Sequence, residues 1–181
     1  MSYHTIVIST GGIYVFGDNG SGQLGLGDRT NRLSPTKLPY DHDMISIHCG
    51  FDHIIFNTID GIYVFGSNLY WQLGLGDRED RNVPTKLPFD HEVISIHCGG
   101  DFTIFNTTDG IYVFGSNLHG ELGLGDNIKA IKVPTKLPFN HDVINVHCGC
   151  HHTIFKTTEG MYVCGDNLYG QLGLGGKTIR N

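Results

Sequence analysis

One six-residue segment, present in four copies, constrains this sequence more than any other feature. It reads Gly-Ile-Tyr-Val-Phe-Gly at residues 12–17, 61–66 and 110–115, and Gly-Met-Tyr-Val-Cys-Gly at residues 160–165. The copies are about 50 residues apart, and at that spacing each repeat is a supersecondary unit that buries its apolar face by stacking on its neighbours. The chain is therefore predicted to be a tandem array of β-rich units.

Each repeat contains several short β segments, which we label A to D in chain order. In one complete repeat we predict strand A over residues 93–98, B over 102–107, C over 111–114 and D over 133–137. Asp109-Gly110 lies between B and C, where a two-residue hairpin favours an Asx-Gly pair. Strand C is apolar on both faces, as in a sheet sandwiched between sheets. Pro134 places D at an outer edge, because proline cannot donate to a ladder. The repeat is thus predicted to be a four-stranded meander, the blade of a propeller.

A longer motif extends beyond strand C: Gly-x-Tyr-Val-Phe-Gly-x-Asn-x-x-Gly-Gln-Leu-Gly-x-Gly, then proline and a second apolar block that ends in glycine. It recurs in register, for example as Asn19 with residues 22–25 and Asn167 with residues 170–173. The motif resembles the repeat of the RCC1 family over nearly the whole chain, whereas the WD40 and kelch signatures are missing. The resemblance implies an all-β fold, a β-propeller of RCC1-type four-stranded blades.

The number of repeats departs from that resemblance, which implies a seven-bladed ring. We predict a single domain over residues 1–181 with about 3.5 repeats, in units of approximately residues 1–43, 44–92, 93–142 and 143–181. The first unit lacks strand A and the last lacks strand D. Three arrangements remain open: a tight four-bladed monomer, an eight-bladed ring of two chains, and an open arc covered by another chain. We favour self-association, because an uncovered apolar blade face attracts a partner.

Charge and cysteine content limit the partners and the compartment. Twelve Lys and Arg residues against 18 Asp and Glu give a formal net charge of -6, so the attraction to phosphates that drives nonspecific nucleic-acid binding is missing. The sequence has no signal-peptide pattern and no apolar run long enough to span a membrane. Cys49, Cys98 and Cys148 share one repeat position, which indicates reduced, packed thiols rather than disulfides. We predict an intracellular protein, cytoplasmic or nuclear, without a membrane partner.

Two motifs that carry chemistry in other proteins are explained here by the repeat. Residues 20–25 match a dinucleotide fingerprint, but that motif requires a following helix, and the other repeats hold leucine at the position of Gly20. The His and Cys residues over 147–152, together with Cys164, form the densest set of candidate zinc ligands. Most of them recur in other repeats, and Phe102 replaces histidine at one position, which favours packing over metal binding. We expect His53 and His152 to form hydrogen bonds within their own blades.

A histidine also lies beside acids in each link between strand D and the next strand A, at residues 41–43, 90–92 and 140–142. Threefold repetition favours solvated loops over an acid–base site, which needs one convergent set of groups in a pocket. The sequence contains no nucleophile motif either. We predict no catalytic residue, no metal, no cofactor and no small-molecule substrate.

Positions where the repeats disagree are the candidates for partner contacts, because the constant positions build the blade. Two adjacent positions after strand C differ. The first holds Ser21, Tyr70, His119 and Tyr169, and the second holds glycine except at Trp71. We predict these five residues to bind the partner. For Trp71, local packing over a neighbouring blade remains the favoured alternative, although a loop tryptophan is a strong interface anchor. The loops over residues 77–82 and 127–132 also differ, and a single interface can use both.

The sequence favours a non-enzymatic protein-interaction scaffold that binds a protein partner through a rim of loops. The family resemblance implies two alternatives, guanine-nucleotide exchange on a Ran-like small GTPase and chromatin binding. Exchange requires a wedge-like insertion between strands, and no repeat exceeds its neighbours by more than about one residue. Chromatin binding in the family draws on basic tails, and Lys177 and Arg180 make a poor one.

Overall fold

The computed structural model describes residues 3–40, 43–125 and 127–179 of the 181-residue chain. Within these ranges every regular element is a β-strand. In chain order the strands are β1 His4–Ser9, β2 Gly12–Gly17, β3 Arg32–Lys37, β4 Met44–Cys49, β5 His53–Thr58, β6 Gly61–Gly66, β7 Arg81–Lys86, β8 Val93–Cys98, β9 Phe102–Thr107, β10 Gly110–Ser116, β11 Ala130–Lys136, β12 Val143–Cys148, β13 His152–Thr157 and β14 Met161–Gly165.

The strands form four antiparallel sheets, which we call blades 1 to 4. Blade 1 contains β1–β3 and blade 4 contains β12–β14, while blades 2 and 3 contain four strands each, β4–β7 and β8–β11. Paired strands are consecutive in the chain, so every blade is a meander. The predicted all-β fold is confirmed, together with its groups of three, four, four and three strands.

Blade 3 shows where the predicted strand bounds hold and where they differ. β8 and β9 have the bounds predicted for strands A and B. Strand D begins earlier than predicted, at Ala130. The pairing between β10 and β11 shifts register between Val113 and Gly115, which leaves Pro134 in a bulge where no ladder bond is lost. The strand therefore continues upstream of its proline.

The hairpin between strands B and C has Thr108 and Asp109 as its two turn residues in blade 3, rather than the predicted Asp109-Gly110, because Gly110 already belongs to strand C. In blade 3, Thr107 pairs with Gly110 across a two-residue turn. Gly110 has a φ of 136°, a conformation that residues with a side chain rarely adopt. The Thr107 hydroxyl donates to the Gly110 carbonyl at 2.7 Å and fastens the turn. The predicted B–C hairpin is confirmed.

Three apolar clusters fill the spaces between successive blades. Between blades 1 and 2, Ile13 and Val15 of strand β2 pack against Ile54, Phe56 and Phe65 of blade 2. The cluster between blades 2 and 3 and the cluster between blades 3 and 4 are built from the corresponding positions. Each blade thus gives one face to the blade before it and the other to the blade after it, as predicted for a strand C that is apolar on both sides.

The outer faces of blades 1 and 4 have no such cover among the described residues. Val7 on the free face of blade 1 is 44% exposed, and Met161 on the free face of blade 4 is 75% exposed. The three described clusters do not include one that joins blade 4 to blade 1. The four described blades therefore form an open arc rather than a closed four-bladed ring.

Candidate interaction surface on one rim of the blades

A buried asparagine holds each loop between strands C and D. In blade 2, the Asn68 Oδ1 accepts the Leu73 N–H at 3.1 Å, and its Nδ2 donates to the Asp77 carbonyl at 2.9 Å. The other three blades repeat this arrangement with Asn19, Asn117 and Asn167. Because a buried amide that is satisfied at both ends fixes the two ends of the loop, all four loops have similar geometry.

The four residues predicted at the first variable position occupy equivalent places in these loops. Each backbone N–H donates to the side-chain oxygen of the residue two positions later, at 2.6–2.9 Å, in Ser21, Tyr70, His119 and Tyr169. Tyr169 is 90% exposed, and the other three are partly buried. We call this end of the blades, with its C–D and A–B loops, the variable rim. The B–C hairpins and D–A links form the opposite rim.

Trp71 follows Tyr70 in the blade 2 loop and has a φ of 60°, a positive value shared by no other described residue that carries a side chain. The equivalent positions are Gly22, Gly120 and Gly170, with φ values of 79°, 78° and 78°. A side chain in this conformation costs roughly 1–2 kcal/mol. The indole is therefore present on the rim at a conformational cost.

Two cations lie over the Trp71 ring. The Arg78 guanidinium carbon is 3.8 Å from the ring centroid, and the Lys132 Nζ of blade 3 is 5.8 Å from it. Arg78 and Lys132 lie in the two segments that differ between the repeats, residues 77–82 and 127–132, and Lys132 is part of strand β11. Their contacts with Trp71 were not predicted. Trp71 thus meets the neighbouring blade while staying partly exposed. Both alternatives for Trp71 remain open, and partner binding by it stays a prediction.

The A–B loops bring a second row of variable side chains to the same rim, which sequence reasoning missed. The ring of His151 lies 4.7 Å from the ring of His119 and 6.1 Å from that of Phe51, centroid to centroid. The position of Phe51 holds glycine in blade 3 and Cys150 in blade 4. That disagreement between repeats was the available signal.

An acidic side chain lies close to this row. The Gln72 Nε2 of blade 2 donates to the Asp101 Oδ1 of blade 3 at 3.2 Å and links the two blades. Burial raises the pKa of Asp101 above its ordinary value, and the neighbouring Asp52 and Glu121 add to the effect while His151 opposes it. The inner part of the rim is thus polar and holds both carboxylates and imidazoles.

The histidines and cysteines of the repeat differ in burial: Cys164 is buried, whereas Cys49 and Cys150 are exposed. Burial raises the pKa of the Cys148 and Cys164 thiols to about 12. Within the described ranges, no three His, Cys, Asp or Glu side chains are grouped to hold a metal. The His53 Nε2 lies 3.2 Å from the Thr103 hydroxyl of blade 3. The predicted bond within the blade is therefore wrong for His53, because the side chain points toward the neighbouring sheet.

The histidines of the D–A links lie at the opposite rim. His91 Nδ1 is 3.2 Å from the Asp109 Oδ1, and its ring stacks on that of Tyr112 at 4.6 Å. His141 and Glu159 form the same contact in blade 4 at 2.9 Å. Asp41 and His42 of the first link lie outside the described residues. These contacts join the link to the next hairpin of the same blade.

The described part of the chain contains no helix of the length and apolar character that a membrane crossing requires.

Three consecutive stretches, residues 10–56, 60–105 and 109–155, match the family model of the regulator of chromosome condensation (RCC1) repeat. Together they cover well over half of the chain. Each stretch begins near a B–C hairpin and ends in the B strand of the next blade. The repeat of the family model, with these bounds, therefore spans the junction between two blades.

Solved structures of larger proteins share this arrangement of blades. Human WBSCR16 is 28% identical over 98% of this chain and 49% of its own, with a TM-score of 0.82. Prp20p from Saccharomyces cerevisiae, described with its binding to Gsp1p and histones, is 25% identical over 96% of this chain and 45% of its own, with a TM-score of 0.83. The yeast RCC1 (Prp20) bound to Kap60 is 24% identical, with a TM-score of 0.84, and shows the fold alone. The chain spans about half the length of the structures that it matches.

Proposed function

The chain belongs to the RCC1 repeat family, and on that premise we propose that it is a non-enzymatic protein-interaction module whose partner binds the variable rim. One observation carries the proposal. Constant apolar residues of the repeat pack between blades. The two differing positions after strand C lie on one rim, where a buried asparagine holds the loop in the same way on each blade.

The composition of the rim supports a protein partner. Aromatic side chains and arginine contribute most to binding at protein interfaces, and Tyr70, Trp71, Arg78 and Tyr169 all lie on this rim. Tyr and Trp also lose little conformational entropy when they become ordered at an interface. These residues lie on loops held by a rigid sheet scaffold, which limits the entropic cost of association.

The test compares the proteins captured by three forms of the chain. The rim variant combines Tyr70→Ala, Trp71→Gly, His119→Ala and Tyr169→Ala. The control combines Ile59→Ala and Thr108→Ala, two exposed residues of the opposite rim. Quantitative mass spectrometry of proteins crosslinked to each form should show a set that the wild type and control share and the rim variant loses.

Two results would contradict the proposal. Capture that survives in the rim variant places the contact elsewhere. Loss in the opposite-rim control but not in the rim variant reverses the assignment of the two rims. Circular dichroism and urea unfolding of all three forms separate a lost interface from a lost fold.

A second proposal is guanine-nucleotide exchange on a Ran-like small GTPase. It is supported by the similarity to Prp20p, which is described with its binding to Gsp1p. The assay follows release of a fluorescent GDP analogue from such a GTPase with and without the chain. Faster nucleotide release with the wild-type chain, but not with the rim variant, would show exchange through this rim. An unchanged release rate would leave the interaction module without exchange activity.

We also propose that two copies of this chain associate through their uncovered blade faces. The support is that both free faces expose apolar residues. Val7 of blade 1 is exposed where blade 3 buries Phe105. Met161 of blade 4 is exposed where blade 3 buries Ile111. Light scattering across concentrations tests this, with Met161→Asp as the variant. A dimer that Met161→Asp dissociates supports the proposal, and a monomer at every concentration contradicts it.

We place the protein inside the cell, in the cytoplasm or nucleus. The support is that all five cysteines are free thiols, as expected in a reducing compartment. Imaging of a fluorescent fusion tests the location, and secretion of the fusion would contradict it.

A further inference from the structure

At the junction of blades 1 and 2, an ion pair joins the two blades across the variable rim. The Arg29 Nη1 of blade 1 lies 3.0 Å from the Asp80 Oδ2 of blade 2. The Asn82 amide donates to the Gly27 carbonyl at 2.8 Å across the same junction. Gly22 is covered by blade 2, since a Cβ there would lie 2.6 Å from the Asn82 Cα. Among the described residues of this junction, the Arg29 guanidinium is paired with a carboxylate, and glycine stands where the next junction has Trp71.

The junction of blades 2 and 3 keeps the same backbone. The Gly76 N–H donates to the Lys132 carbonyl at 3.0 Å, as the Gly27 N–H donates to the Asn82 carbonyl at 2.8 Å. The backbone bond therefore places Lys132 at the position of Asn82. The two junctions differ in side chains and not in architecture.

Three substitutions distinguish the second junction from the first. Trp71 takes the place of glycine, Lys132 that of asparagine, and Lys129 that of Asp80. The last correspondence follows from equivalent hydrogen bonds in the two loops. In blade 2 the Asn68 N–H donates to the Asp80 carboxylate, and in blade 3 the Asn117 N–H donates to the Lys129 carbonyl. Arg78, the counterpart of Arg29, thus meets a lysine position where Arg29 meets an aspartate.

We call four residues of this junction the tryptophan patch: Trp71, Arg78, Lys129 and Lys132. Arg78 and Lys132 lie over the indole, and Lys129 holds the position that Asp80 holds in the first junction. Arg78, Lys129 and Lys132 are exposed. The ion pairs found among the described residues do not include any of these three cations. The indole holds the Arg78 guanidinium in a stacked position, which leaves its N–H edge free to bind a carboxylate with two parallel hydrogen bonds.

We propose that the tryptophan patch binds an acidic peptide segment of the partner, with carboxylates on Arg78, Lys129 and Lys132 and an apolar side chain against the indole. This rests on the proposed function, which it extends by naming the chemistry of the partner. A locally positive patch on a chain with a net charge of -6 complements an acidic segment.

Nucleic acid fits the patch less well than a peptide. A nucleic-acid backbone needs a row of cations that follows successive phosphates, and the patch has three. Its edge also carries carboxylates, Asp77 and Asp80 paired with arginines and Glu79 largely exposed, which repel a continuous polyanion.

Binding is measured with a fluorescent glutamate-rich peptide and with its glutamine-substituted counterpart. Trp71 is the chain's single tryptophan, so its emission reports occupation of the patch directly. We expect the emission change and the anisotropy of the glutamate peptide to saturate together, and the glutamine peptide to produce neither. Binding seen by anisotropy without a change in emission would place the peptide elsewhere and overturn the proposal.

Charge reversal with a matched control locates the contact. Arg78→Glu with Lys132→Glu should weaken the affinity for the glutamate peptide at least about tenfold. Lys37→Glu with Lys86→Glu makes the same change in net charge at two exposed lysines of the opposite rim and should alter the affinity by less than about twofold. Equal weakening by both variants means general charge attraction and overturns the proposal.

Two further outcomes separate this inference from the function on which it rests. Tighter patch-dependent binding of labelled single-stranded DNA than of the peptide assigns the patch to nucleic acid and overturns the proposal. The wild-type chain could fail to bind the glutamate peptide and still capture partners that the rim variant loses. That result would support the interaction module and contradict the proposal that its partner offers an acidic segment.

Discussion

Phe105 and Val7 occupy the same place in the repeat but differ in surroundings. Val7 pairs with Tyr14 in blade 1, and Phe105 pairs with Tyr112 in blade 3, in the same register of strands B and C. Phe105 is fully buried between blades 2 and 3, whereas Val7 is 44% exposed because no described blade precedes it. The comparison teaches that a blade does not bury its own apolar face.

The other end of the arc shows the same contrast on the opposite face. Ile111 begins the apolar run of strand C in blade 3 and is 2% exposed, while Met161 in the same position of blade 4 is 75% exposed. The contribution of a residue to the free energy of unfolding is therefore set by the neighbouring blade as much as by its own strand. Such a chain behaves as a one-dimensional array, stabilised at its junctions.

The largest expected effect tests that contrast directly. Phe105→Ala should reduce the free energy of unfolding by about 3–5 kcal/mol, because it opens a cavity between two blades. Val7→Ala at the equivalent site should reduce it by less than about 1 kcal/mol, since the side chain already meets solvent. Urea unfolding followed by circular dichroism measures both. Similar losses in the two variants would show that the free face of blade 1 is covered in solution.

An intermediate effect concerns a titratable group in a junction. Burial lowers the pKa of His53 from 6.5 to about 3, and the nearby His4 adds to the effect. Between these values the unfolded chain binds a proton that the folded chain excludes, so stability is lost as the pH falls below about 6.5. From about pH 7 to pH 5 this residue should cost about 2 kcal/mol of unfolding free energy.

His53→Phe removes that proton-linked loss. Phe102 already occupies the corresponding position, and its ring packs on Gly99 as the His53 ring packs on Gly50, so the phenylalanine fits the site. The variant should lose about 2 kcal/mol less than the wild type between these pH values. Unfolding curves at the two pH values measure the difference. Parallel losses in both proteins would mean that another group carries the pH dependence.

The features that could be predicted from the sequence are those that repeat, whereas the features that were missed depend on how loops contact one another or return to the sheet. The period, the Asp-Gly pairs and the two apolar faces of strand C were sufficient to predict the blades. The bulge at Pro134 was missed, because its register depends on where the preceding loop returns to the sheet. The positions of the variable residues followed from alignment of the repeats. The placement of Arg78 over Trp71 did not, because side-chain geometry between loops is not periodic.

The smallest expected effect distinguishes the variable rim from the cores between blades. Trp71→Gly relieves a positive φ that costs roughly 1–2 kcal/mol, but it gives up cation–π contacts of about 0.5–1 kcal/mol and adds backbone entropy to the unfolded chain. The free energy of unfolding should therefore change by less than about 1 kcal/mol, against about 3–5 kcal/mol for truncation of an aromatic ring in a core. Urea unfolding measures the change, with Phe105→Ala as the reference for a core residue. A loss as large as that of Phe105→Ala would make Trp71 a packing residue of the junction, and the indole would then be held in place by the fold rather than offered to a partner.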